Sequence, residues 1–275
     1  LEDIAAGPGG FVVVGSQNGP GGSRSTAWYS PDGLAWTRTQ SDLGGDSAGA
    51  VVQFGPGYVA AGWTPGENGV DRALFWTSPD GRTWAAAPDA KDLHDVGSTP
   101  RLAAVPQHLV AFGGKSHAWV ASEPLVWTSQ DGVTWQSQAS SGVVAPLSSV
   151  PPLASGQPAV TGLGVGGLIA TDGGFVAAGE AFTLGPGSGP VMGRRVVWMS
   201  STGGSWSVVA ELPEGSADPE SGPAMVGPLV VHQGRLLVFG IPLGAGSAPL
   251  WETDLQGLLD QGQLINQDGA PTATP

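Results

Sequence analysis

The sequence predicts an all-β fold, a β-propeller of five four-stranded blades, and three observations carry that prediction. The first is a repeat. Residues 76–84 (WTSPDGRTW) recur as 127–135 (WTSQDGVTW) and as 28–36 (WYSPDGLAW). A worn copy at 198–206 (WMSSTGGSW) keeps both tryptophans and loses the aspartate, and a vestige begins at Trp251. The second is the period. The leading tryptophans Trp28, Trp76, Trp127, Trp198 and Trp251 stand 48, 51, 71 and 53 residues apart. Periods near 50 residues with four strands per unit are the signature of propeller blades. The third is a hairpin ahead of each leading tryptophan.

Those hairpins read 4–15 (IAAGPGGFVVVG), 51–62 (VVQFGPGYVAAG), 102–113 (LAAVPQHLVAFG), 168–179 (LIATDGGFVAAG) and 229–240 (LVVHQGRLLVFG). Gly, Pro, Asp or Gln marks each turn, and the flanking Val, Ala, Leu and Phe runs read as buried strands. Around Trp76 the chain is apolar on both faces, with Leu74 and Trp76 on one and Ala73 and Phe75 on the other. A strand sandwiched between neighbouring blades needs that pattern; a half-exposed sheet would alternate apolar and polar residues.

The units fall near 1–43, 44–91, 92–140, 163–212 and 224–268, a single propeller over 1–268 followed by a linker-like tail at 269–275 (GAPTATP). The long third spacing has two sources: residues 139–158, rich in Pro, Ser and Ala, and residues 181–192 inside the fourth unit, both read as loops. The fifth unit lacks a proper repeat turn, and its outer strand is expected near 263–267.

Composition narrows the function classes. The 46 glycines and 24 prolines suit many short strands joined by turns. Net charge is −13 with only 10 Lys and Arg and no basic run, which argues against nucleic-acid binding. No apolar run approaches the roughly 18 residues of a membrane span. The absence of cysteine removes disulfides and zinc–thiolate sites. The four histidines show no metal spacing, so no metal or cofactor is expected. Leu1 in place of an initiator methionine leads to the expectation of a processed chain, with any signal peptide or lipid anchor upstream.

The pattern S-x-D-G-x-[TA]-W, met at 30–36, 78–84 and 129–135, resembles the Asp-box, or bacterial neuraminidase repeat, of sialidases and sortilin-type receptors. Only the third unit carries the Gly113–Gly114 pair that would echo a kelch repeat. The resemblance covers nearly all five units. It implies that Ser30, Asp32, Trp36, Ser78, Asp80, Trp84, Ser129, Asp131 and Trp135 are structural, and that ligands bind at the opposite end of the ring. It also implies an extracytoplasmic location, secreted or in the cell envelope. The same resemblance raises sialidase chemistry. That chemistry needs three arginines and a Tyr–Glu nucleophile pair; the family's Arg-Ile-Pro signature is absent from this sequence, and Tyr29 and Tyr58, in a repeat turn and a core slot, are not placed as nucleophiles.

At the end opposite the repeat turns, Arg24, Arg72 and Arg194 stand four residues before their leading tryptophans. Eleven tryptophans are present, and Trp63 and Trp119 fall outside the repeat, in loops at that same end. Arginines can pair with carboxylates and aromatic platforms can hold sugars or protein partners. No catalytic residues emerge. The expectation is therefore a non-enzymatic recognition or scaffold module, binding a protein partner or glycan, or forming part of a larger surface assembly. The alternative is a glycoside hydrolase, which needs paired carboxylates on inner strands. Glu2 or Asp3 is the candidate for one member and Glu180 for the other.

Overall fold

The structure, a computed structural model, describes residues 1–20, 22–39, 43–66, 70–97, 99–117, 120–138, 143, 160–184, 191–212, 224–242 and 248–260. It divides into two compact units, Leu1–Gln138 and Ala139–Pro275. The first unit holds three sheets of four strands. These are β1 (Asp3–Gly7), β2 (Gly10–Gly19), β3 (Gly22–Ser30) and β4 (Thr37–Arg38), then β5 (Ser47–Phe54), β6 (Gly57–Thr64), β7 (Arg72–Ser78) and β8 (Ala85–Ala86), then β9 (Arg101–Val105), β10 (His108–His117), β11 (Val120–Ser129) and β12 (Gln136–Gln138). The second unit holds β13 (Val160–Thr171), β14 (Gly174–Leu184), β15 (Val191–Ser200) and β16 (Ser207–Leu212), then the three strands β17 (Ala224–His232), β18 (Arg235–Pro242) and β19 (Leu250–Asp254). Every strand pairs antiparallel with its sequence neighbour in its sheet. Five such sheets in series are the blades of a five-bladed β-propeller.

The five hairpins expected from sequence are the strand pairs β1–β2, β5–β6, β9–β10, β13–β14 and β17–β18. Two features differ from expectation. Residues 181–192 are not wholly a loop: the ladder runs on through Phe182↔Met192 and Thr183↔Val191. Ala181 and Phe182 are buried there, so apolar side chains extend the sheet past the usual strand end. The fifth sheet has three strands among the described residues, and the chain turns helical at 255–260 after β19. The outer strand expected near 263–267, the tail at 269–275 and all of 139–158 except Val143 lie outside the described residues.

Each repeat turn is built from its own side chains. In the third, Asp131 accepts from the Val133 N–H at 2.8 Å and the Thr134 N–H at 2.7 Å, while Ser129 Oγ accepts from the Gly132 N–H at 2.9 Å. Asp80 and Ser78 repeat this on Arg82, Thr83 and Gly81, and Asp32 and Ser30 on Leu34, Ala35 and Gly33. The glycine has no substitute. Gly81 and Gly132 sit at φ +74°, a left-handed conformation, and a Cβ there would meet Val12 Cγ2 at 2.6 Å and Val59 Cγ2 at 2.7 Å. Both valines belong to the preceding blade, so each turn is pressed against its neighbour. The donors hold all three carboxyls below the usual range, the Thr134 N–H first for Asp131, the Thr83 N–H for Asp80 and the Leu34 N–H for Asp32.

The tryptophans carry the packing between blades. Trp135 lies flat on Phe75 of β7, ring centroids 3.9 Å apart and planes 19° apart, and Trp127 meets the same ring edge-on at 6.4 Å. Trp76 and Trp127 donate their indole N–H groups to Leu43 O and Asp92 O, in the links leading into their blades. One buried cluster thus joins the first and second sheets through Val12, Val14, Tyr58 and Trp76, and another joins the second and third. In the second unit Val197, Leu236, Val238 and Trp251 do the same for the fourth and fifth.

In the worn fourth turn Thr202 stands where the others have aspartate, and its hydroxyl accepts only from the Gly204 N–H at 3.3 Å. Thr202→Asp is expected to raise the stability of the second unit by about 0.5–1 kcal/mol, read as a higher thermal midpoint, because it restores a carboxylate acceptor. Trp135→Ala is expected to cost about 3–5 kcal/mol in denaturant unfolding, against about 1 kcal/mol for Asp131→Ala.

Candidate functional site

The residues nominated from sequence scatter. Arg72 pairs with Asp89 at 3.2 Å and Arg194 pairs with Glu211. Arg24 is exposed on β3, opposite Gln17, with no ion pair among the described residues. Trp63 is half-buried near the end of β6, between Ser47 and Ala73 in register. Trp119 lies outside the described residues. Among the described residues no group of three or more His, Cys, Asp or Glu could hold a metal ion, and no helix is long and apolar enough to cross a membrane.

The carboxylates are more informative. Glu2 is exposed and its backbone N–H extends the ladder to Val14 O. Asp3, half-buried, accepts from the Val51 N–H at 2.9 Å with one oxygen and from the Ile4 N–H at 2.8 Å with the other. It stitches β1 to β5. Burial raises its pKa, against those two donors and the nearby Arg101 charge.

Glu180 occupies the matching role in the second unit and goes further. It follows Gly179 on β14 and faces Gly164 on β13 and Arg195 on β15. The side chain is only 1% exposed. One oxygen accepts from the Val226 N–H of β17, and Oε1 has no hydrogen-bond partner among the described residues. Gly164 makes the slot: a Cβ there would come within 2.9 Å of Oε1. Arg195 is itself buried, donates to Ala224 O at 3.0 Å and lies 5.8 Å over the Trp251 ring. Burial pushes the Glu180 carboxyl up to about 7, outweighing the Val226 N–H and the Arg195 charge, both of which favour the carboxylate. The sequence marked Glu180 only as an acid after a strand-ending glycine. Its partner Arg195 went unnoticed, although the pair Arg194–Arg195 places one arginine on each face of β15.

No family model and no curated protein sequence matches the chain. Solved structures do resemble it. A β-fructofuranosidase of glycoside hydrolase family 32 from Bombyx mori aligns with TM-score 0.50 and 13% identity over 92% of this chain and 60% of its own. A sialidase from Trypanosoma rangeli aligns with TM-score 0.50 and 15% identity over 93% and 40%. A glycosyl hydrolase from Bacteroides ovatus aligns with TM-score 0.46 and 14% identity over 93% and 84%. The first two share the propeller fold, and this chain spans little more than half, or less, of their length. The expectation of a non-enzymatic recognition or scaffold module is corrected here. The two structures that align at TM-score 0.50 are a β-fructofuranosidase and a sialidase, and the likeness to them is one of fold.

Glu180 has a consequence for stability. Its folded pKa, about 7, lies above the ordinary 4.5, so the folded state binds the extra proton between those values. The associated cost is absent below 4.5, grows as pH rises and is complete above about 7, reaching on the order of 3 kcal/mol. Glu180→Gln is expected to flatten that loss, measured as unfolding midpoints of both proteins between pH 4.5 and 8.

Proposed function

We propose that this chain is a glycoside hydrolase on an Asp-box propeller frame, with Glu180 as its proton donor. The observation that carries this reading is the buried Glu180 carboxyl with a pKa near 7 and one unpartnered oxygen. Cleaving a glycosidic bond requires an acid that still holds its proton at neutral pH. The proton on Glu180 passes to the departing glycosidic oxygen as its bond to the anomeric carbon breaks, and water completes the hydrolysis. Val226 N–H and Arg195 then stabilise the carboxylate left behind.

The propeller fold shared with the β-fructofuranosidase and the sialidase supports a glycan substrate. Glycan contact falls to the end opposite the repeat turns, where Trp63 offers an aromatic surface and Arg24 a cation in no ion pair among the described residues. Arg72, in the same unit, joins them on leaving Asp89. The repeated chemistry of the S-x-D-G turns supports the Asp-box assignment, and that resemblance supports an extracytoplasmic location.

A panel of aryl glycosides is the test. Turnover of at least one substrate is expected, with an activity limb near pH 7 on the alkaline side where the acid loses its proton. Glu180→Gln is expected to lower kcat by about 10²-fold or more while the protein stays folded. Full activity in that variant would remove Glu180 from the mechanism.

A further inference from the structure

A cleft of about 720 Å³ opens at the repeat-turn end of the first unit, between the first and second blades. Tyr29, Thr37, Arg38, Thr39, Arg82 and Thr83 line it. Two arginines in one cleft are out of keeping with a chain of net charge −13. Arg72, Arg194 and Arg235 each pair with a carboxylate, whereas no ion pair engages Arg38 or Arg82 among the described residues.

Neither guanidinium is engaged in a salt bridge among the described residues, although the Asp80 carboxylate is near enough to Arg82 to feel its charge. Arg82 lies 4.2 Å above the centroid of the Tyr29 ring, and the Tyr29 hydroxyl in turn donates to Gly9 O, so the platform under the cation is fixed. Arg38 donates through Nε to Thr26 Oγ1 at 3.2 Å, and among the described residues no hydrogen bond engages its terminal amino groups. The fold requires neither cation. The residue after the turn glycine is Leu34, Val133 or Gly204 in the other turns, and the position of Arg38 is held by Ala86, Ser137 and Val208 elsewhere. This pair belongs to one corner of the molecule.

We propose that this cleft binds a carboxylate-bearing oligosaccharide. A planar guanidinium pairs bidentately with a carboxylate, and Arg38 and Arg82 together can grip one. Thr37 and Thr83 supply hydroxyls to exchange hydrogen bonds with sugar hydroxyls. The volume lies within the roughly 300–1,000 Å³ of small-molecule sites and far exceeds what a lone inorganic anion fills. The cleft uses no residue of the proposed hydrolytic site, so the two readings stand or fall separately.

Calorimetric titration of the whole chain with a galacturonate trimer, a glucuronate trimer, a neutral galactose trimer and sodium sulfate tests this. At least one uronate trimer is expected to bind, with affinity falling in about 0.5 M NaCl as exposed ion pairs are screened. Arg38→Gln and Arg82→Ala are each expected to weaken it about tenfold or more, with thermal midpoints near that of the unaltered protein. Arg82→Lys keeps the charge and loses the fork, so it is expected to fall between. Equal binding of the neutral trimer, sulfate binding as tightly as the uronates, unchanged affinity in both variants, or no uronate binding at millimolar concentration would each overturn the proposal.

Discussion

The contact on which the first unit depends is the press of its second and third repeat turns against the blade before each. A blade with Ala73, Phe75 and Trp76 buried on both faces cannot stand in water alone. The turn solves this by carrying a large ring to the neighbour: Trp135 stacks on Phe75, and Gly132 comes close enough to Val59 to exclude any side chain. The Ser–Asp pair holds that turn rigid through backbone N–H groups that would otherwise be unpaired at a strand end. Polar chemistry therefore serves apolar packing here. The proximity of serine, aspartate and threonine, which suggests a reactive site, is explained by turn closure.

A second kind of tie works at the strands nearest the start of each blade. Asp3 reaches Val51 and Glu180 reaches Val226, in both cases a carboxylate accepting from the first strand of the following blade. The two differ in how completely they are satisfied. Both oxygens of Asp3 accept backbone N–H groups, while Glu180 keeps one oxygen bare beside a buried arginine. A tie that only held blades together would gain from satisfying that oxygen. Leaving it open stores a proton near neutral pH, which is what glycoside chemistry calls for and what makes Glu180 the centre of the functional reading.

The distribution of cations follows the same logic. Among the described residues Arg72, Arg194 and Arg235 are spent on local acids, so a cleft that gathers two arginines outside any salt bridge stands out. Arg38 and Arg82 lie at the turn end, which the repeat alone marks as structural. The repeat constrains the serine, aspartate, glycine and tryptophan of each turn and leaves the residue after the glycine free. Variation at that free position is how a structural corner acquires a charged cleft.

By itself the sequence determined the blades. The period of the tryptophans, the glycine-punctuated hairpins and the two-sided apolar strands are local patterns, and each is imposed by backbone geometry and burial within one unit. The fifth blade was the least legible, because its repeat turn is missing and the signals left were the 229–240 hairpin and Trp251. The candidate site was legible in part: Glu180 was visible as an acid beside a glycine. Its burial, its bare oxygen and the nearby Arg195 charge depend on Gly164 of β13 and on Ala224 and Val226 of β17, two strands far apart in sequence. Likewise Arg38 and Arg82 are 44 residues apart in sequence and share a cleft only because neighbouring blades pack. Only the tertiary structure decided those, since desolvation and the meeting of charges are properties of what surrounds a side chain, and its surroundings are supplied by distant parts of the chain.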